Sequence, residues 1–161
     1  MLEAKAVSTG PELARREGEA LIWMGELTLL RMTGEQSGGR YSMAEVFVTP
    51  AGLVPLHVHH REDEAFYVLD GDLTIHIGDA THEAKAGSFV FGPRDVPHRY
   101  VVNSPTARLL MIFSPAGFEG FIRGTSVPAG SLTPPAPGEV EADFDRVLVC
   151  ADAYGAEVLE G

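Results

Sequence analysis

Between Ala20 and Phe121 the chain is a succession of short runs rich in β-branched and aromatic residues, each closed off by Gly, Pro, Asp or Asn. LIWMGELTLLRM, RYSMAEVFVT, AFYVLDG, LTIHIGD, SFVFGP, HRYVVN and ARLLMIFSP follow one another in this way. Short strands at roughly even spacing with turn signals between them indicate an all-β sandwich or barrel rather than βαβ units. Asp70-Gly71, between AFYVL and LTIHI, reads as a tight turn, and Gly78-Asp79 closes the next hairpin. The centre of the chain is therefore expected to be an antiparallel meander.

The ends differ from this centre. Residues 1–20 read as an N-terminal arm, 21–123 as the barrel, 124–138 (GTSVPAGSLTPPAPG) as a Pro/Gly-rich linker, and 139–161 as a helical tail. In the tail Val140, Phe144, Val147, Leu148, Ala151 and Tyr154 recur at helical spacing. Glu139, Glu141 and Asp143 suit a helix N-terminus, and Gly155 suits its end.

A length of 161 residues and 45% apolar content suit one globular domain with a real core. The net charge of -11 argues against nucleic acid or an anionic membrane surface as partner, because phosphates are met with basic residues. A single cysteine, Cys150, excludes an internal disulfide and makes a thiolate metal cluster a poor expectation. With no signal-peptide core and no bilayer-length apolar run, a cytoplasmic protein is expected.

All six histidines fall between His57 and His98. In a strand alternate residues face the same side, so His57 and His59 can present both imidazoles to one interior. A lone pair of this kind is more often hydrogen-bonded or exposed than metal-bound, given how widely histidine is used. Adding Glu64 and His98 gives three nitrogens and one oxygen, a set suited to a first-row divalent metal. Phe66 and Val68 share the face of Glu64, and Tyr100 and Val102 that of His98, which would supply a dry wall.

The two blocks resemble the paired motifs of the cupin superfamily. The first reads G52-LVPL-H57-V-H59-HRED-E64-AFYVLD-G71 and the second G87-SFVFG-P93-R-D95-VP-H98-RYVV-N103. Two departures in the second block, Asp95 in place of the turn glycine and Asn103 one position late, leave every ligand position filled; Asp tolerates left-handed turn geometry. The resemblance implies a double-stranded β-helix, or jelly-roll barrel, with a short C-terminal α-helix appended. It implies one divalent transition metal held by His57, His59, Glu64 and His98, Fe(II) first, with Mn, Ni, Co, Cu or Zn as alternatives.

The segments SGGRYSMAEVFVTP, PLHVHHREDEAFYVLDG and PAGFEGFIRG are more narrowly similar to bacterial single-domain cupins grouped as quercetin-dioxygenase-like. That similarity implies an oxygenase acting on a small aromatic, phenolic or enol-type molecule, with secondary metabolism as a setting. Non-oxidative isomerase, cyclase or lyase chemistry and a non-catalytic ligand-binding cupin stand as the alternatives, since one barrel serves many chemistries. A homodimer is expected, because barrels of this kind commonly pair through their edge strands.

Further roles follow from side-chain parity. Glu64 could also take a substrate proton as general base. Phe66, Phe91, Tyr100 and Phe113 are candidate pocket walls, Tyr100 with a phenol able to donate near the metal. Met43, Glu45 and Phe47 share one strand face; inside a barrel, Glu45 would need a partner and could orient a substrate. His60, His76, His82 and Asp63 are expected at the surface, and Cys150 as a small buried apolar residue.

Overall fold

The computed structural model describes residues 18–52 and 54–160. The expected arm over residues 1–20 lies outside the described residues as far as residue 17. Two antiparallel sheets face one another. One contains β1 (Glu19–Trp23), β2 (Glu26–Met32), β3 (Ser42–Val48), β5 (Asp63–Asp70), β8 (Phe89–Gly92), β10 (Ala107–Ser114) and β11 (Ser126–Pro128). Its spatial order is β11-β1-β2-β3-β10-β5-β8. The other contains β4 (His57–His59), β6 (Asp72–Ile77), β7 (Ala80–Lys85), β9 (His98–Val102) and β12 (Ala156–Val158), in the order β12-β4-β9-β6-β7. From β3 to β6 and from β7 to β10 the chain crosses between the sheets at each step, as in a jelly roll, so the expected meander is corrected: only β1–β2–β3 and β6–β7 pair as chain neighbours.

Strand alternation builds the core. In β10, Ala107, Leu109, Met111 and Phe113 are buried while the residues between them are less so. Leu73, Ile75 and Ile77 do the same for β6, and His98, Tyr100 and Val102 for β9. Phe66, Leu73, Ile75, Leu109 and Phe113 are almost wholly buried, each contributing roughly 1.5–3 kcal/mol by leaving water. The β5–β6 turn has Gly71 at φ 85, and a Cβ there would lie 2.6 Å from the Thr106 carbonyl oxygen, so only glycine fits.

Both sequence boundaries beyond the barrel are refined. The stretch read as a linker carries β11, which pairs with β1, and the residues before it form a short helix, α2 (Phe118–Gly124). A single turn, α1 (Gly34–Ser37), lies between β2 and β3. The tail helix, α3 (Phe144–Ala153), starts where Asp143 accepts a hydrogen bond from the Arg146 N–H at 3.0 Å, and Gly155 follows it at φ 68. Of its expected apolar face, Val147 and Ala151 are buried, whereas Phe144 and Leu148 are exposed. The tail then adds β12 to the edge of β4, pairing Ala156 with His59 and Val158 with His57. A strand made by the last residues therefore braces the histidine-bearing one.

Candidate metal centre

His57 and His59 share one face of β4, as period-two geometry requires, and His98 opens β9 directly opposite His57. Glu64, on β5 in the other sheet, reaches across the interior. Its Oε2 lies 2.8 Å from His98 Nε2, 3.0 Å from His59 Nε2 and 4.0 Å from His57 Nε2. One donor atom from each of the four residues falls within 4.8 Å of the others. His59, Glu64 and His98 are buried and His57 is partly so.

Each ring is oriented by its other nitrogen. His57 Nδ1 lies 2.8 Å from the Pro55 carbonyl oxygen, His98 Nδ1 2.9 Å from that of Val96, and His59 Nδ1 2.9 Å from Glu62 Oε1. These oxygens only accept, so Nδ1 carries the proton and, in the neutral ring, each Nε2 lone pair points at the shared centre. His59 Nε2, though 3.0 Å from Glu64, is not aligned to hydrogen-bond it and is a buried nitrogen without a partner among the described residues. A buried orphan lone pair beside two imidazoles and a carboxylate is what a bound divalent cation would satisfy. The donor set fits a first-row transition metal.

The electrostatics agree. Burial, reinforced by the charge of His98, pulls His57 down to about 4, so it is neutral at pH 7. Burial opposes the charged forms of His59 and Glu64 too, but is outweighed in both. Glu62 and Glu64 push His59 up to about 9, and His59 and His98 hold Glu64 well below the usual carboxylate range. A metal held by His59 Nε2 would compete with protonation of that nitrogen.

His57, His59 and Glu64 line a cavity whose other walls are mainly apolar, among them Trp23, Phe66, Tyr100 and Phe118. Phe66 and Tyr100, two of the expected wall residues, are among those lining it. Phe113 packs behind the centre instead, its ring centroid 6.0 Å from that of His59. Phe91 is corrected: it is 52% exposed, because β8 turns Val90 and Gly92 inward and Phe89 and Phe91 outward. Glu45 is corrected as well. The inner face of β3 is Ser42, Ala44, Val46 and Val48, and Glu45 on the outer face pairs with Arg31 at 2.6 Å and Arg108 at 3.5 Å. His60 is exposed and meets Asp95 at 2.6 Å; Asp95 adopts φ 64, the left-handed turn expected of it. Asp63 is a surface partner of Arg94.

The family model described as Cupin domain matches residues 44–113, the span that holds both motif blocks and all four clustered side chains. The chain belongs to the cupin superfamily. Among its relatives, quercetin 2,3-dioxygenase of Bacillus subtilis is 23% identical over 145 residues, 89% of this chain and 42% of that enzyme. This cupin therefore spans less than half the length of that relative. An uncharacterized protein of Streptomyces coelicolor is 31% identical over 70 residues, 44% of this chain and 67% of its own. An RmlC-like cupin from Shewanella frigidimarina shares the fold, with a TM-score of 0.56 and 19% identity over 74% of this chain and 99% of that one.

Two acids escaped the sequence reading. Glu62, 3% exposed, orients His59, yet in the run HRED it is indistinguishable from a surface acid. Glu26, 8% exposed, lines the cavity from the start of β2. The partner of a metal-bound imidazole fixes its orientation and basicity, so Glu62→Ala is expected to weaken metal affinity about 10–100-fold. Competition against a chelator of known affinity measures this, and unchanged affinity would show that Glu62 does not position His59.

Proposed function

We propose that this cupin is a metal-dependent enzyme, an oxygenase acting on a small aromatic, phenolic or enol-type molecule, with Fe(II) as its metal. The observation that carries the reading is the opening of three ligand side chains, His57, His59 and Glu64, onto a cavity walled by aromatic and aliphatic groups. A catalytic metal site keeps access for a substrate in this way, and apolar walls with few polar groups suit a flat organic molecule. The dioxygenase likeness supports the oxidative branch.

The chain's own residues divide the work. His57, His59, Glu64 and His98 would hold the metal, which when bound supplies positive charge that lowers the pKa of a hydroxyl brought to it. Glu64, once detached from the metal, would be the carboxylate at hand to take that hydroxyl proton. Phe66 and Phe118 exclude water, and Tyr100 offers a phenol to the same space. On the outer face of the larger sheet Tyr67, Phe89 and Phe91 are exposed, an apolar surface that supports the expected homodimer.

Oxygen consumption by the Fe(II)-loaded protein, measured with catechols, flavonols and β-diketones, tests the reading. Uptake in step with substrate loss is expected. Equal substrate loss under anaerobic conditions would reject the oxygenase in favour of isomerase, cyclase or lyase chemistry at the same centre.

A further inference from the structure

Glu26 has an arrangement that metal binding leaves unused. The start of β2 turns it into the cavity that His57, His59 and Glu64 also line. Its Oε1 accepts from both the backbone N–H of Thr49, at 3.1 Å, and the Thr49 hydroxyl, at 3.0 Å. The carboxyl is thereby held in one orientation. Gly52 packs against it so closely that a Cβ there would lie 2.5 Å from Oε1, so the loop after β3 is shaped around this group. The second oxygen, Oε2, has no hydrogen-bond partner among the described residues, and neither has the phenol of Tyr100 on the same cavity.

The surroundings define what could meet Oε2. No lysine or arginine is among the described residues lining the cavity, so nothing there neutralises Glu26. Burial raises its pKa, the two hydrogen bonds from Thr49 opposing the shift. The charges of Glu26 and Glu64 both bear on Tyr100, adding to the burial that pushes its phenol up, which places that ring in the field of both acids. Glu26, Thr49 and Gly52 also line a second groove, together with Pro135, Pro137 and Val140. Glu26 is therefore common to the walls of both.

We propose that Glu26 is a substrate-contacting, specificity-determining carboxyl that takes a hydroxyl or N–H donor at the end of a small ligand distant from the His57/His59/Glu64/His98 centre. The proposal rests on the functional reading above for the ligand's other end, which meets the metal. A carboxyl oxygen that faces the cavity with no partner among the described residues rewards a donor on the ligand and penalises a ligand that offers it an anion. The substrate class is thus a small phenol or enol that carries a second hydroxyl or amino group and no carboxylate or phosphate at that end.

Trp23, the only tryptophan of the chain, lines the cavity, so its fluorescence reports occupancy without turnover. The Zn(II)-loaded protein, in which catechols are not oxidised, is titrated with 4-(hydroxymethyl)catechol, 4-methylcatechol and 3,4-dihydroxybenzoate. The parent is expected to bind the hydroxymethyl compound about tenfold tighter than the methyl compound, and the carboxylate weakest, in line with a hydrogen bond to a charged group. Glu26→Leu should erase the tenfold preference. Glu26→Gln, which keeps an oxygen for Thr49 and turns an amide N–H₂ toward the ligand, should move the carboxylate probe from weakest to strongest.

Metal content, measured on the same samples, should be the same in all three proteins. The same order of probes in the parent and both variants, or no response of Trp23 to any probe, would overturn the proposal. Repeating the titrations on chelator-treated protein separates the two readings. Probe affinity that is indifferent to zinc defeats the metal-contacting end, while the Glu26-dependent order of probes stands or falls by itself.

Discussion

His98→Ala protein purified without chelator is expected to hold less than about a tenth of the metal carried by the parent, since even partners of ligands change affinity 10–100-fold. His98 sits at the first position of β9, pinned through Nδ1 to the Val96 carbonyl and facing His57 across the ladder. Its Nε2 makes the shortest contact with Glu64, 2.8 Å, so alanine removes a donor and one of the two groups that keep Glu64 ionised. A buried carboxylate that loses its partners tends to take up a proton. The site would then lack both a nitrogen and a reliable oxygen. Elemental analysis reads the result, with circular dichroism to confirm that the barrel persists. In the double variant His57→Ala/His98→Ala the loss should be complete; a full complement of metal there would refute the ligand assignment.

Phe113→Ala should destabilise the metal-free protein by about 3–5 kcal/mol, the range for removing a large aromatic side chain from a close-packed core. Phe113 is 1% exposed and its ring centroid lies 4.7 Å from that of Phe118, which in turn stacks on Phe121 at 4.8 Å. It also stands opposite Glu64 in the β5–β10 ladder and 6.0 Å from the His59 ring. The void would open behind two ligands. At roughly 2–4 °C per kcal/mol for a chain of this size, the melting temperature should fall by about 10 °C. Measuring metal-free samples removes the stabilisation that a bound ion would add. A loss under about 1 kcal/mol would mean that the aromatic cluster closes over the gap.

The centre itself was legible because its rule is local. The spacing of His57 and His59 fixes a shared face whatever the rest of the chain does, and the second block supplied His98 through its motif. Turns were legible for similar reasons: Gly78-Asp79 does close the β6–β7 hairpin, whereas Asp70-Gly71 turns the chain from β5 in one sheet to β6 in the other, which local sequence does not distinguish from a hairpin. Parity, however, divides a strand into two faces without saying which is inside. Met43, Glu45 and Phe47 alternate with Ala44, Val46 and Val48, and either set could have been the core. Glu45 was assigned to the wrong side for this reason, and Phe91 likewise against Val90 and Gly92.

Contacts between distant segments were out of reach for a different reason. Glu26 acquires its role only when β2 brings it beside Thr49, and β12 becomes a strand only because β4 offers an unpaired edge at the end of the smaller sheet. Neither segment has a composition that announces this. The three-residue β12 is held by its partner, not by intrinsic preference.

Sequence by itself determined the all-β class, the four side chains of the centre and the tail helix, because periodicity and motif spacing act over a few residues. Tertiary structure alone decided which strand faces turn inward, that Glu62 steadies His59, and that Glu26 enters the cavity. Those outcomes depend on register between strands far apart in the chain, and on which polar atoms burial leaves in need of a partner.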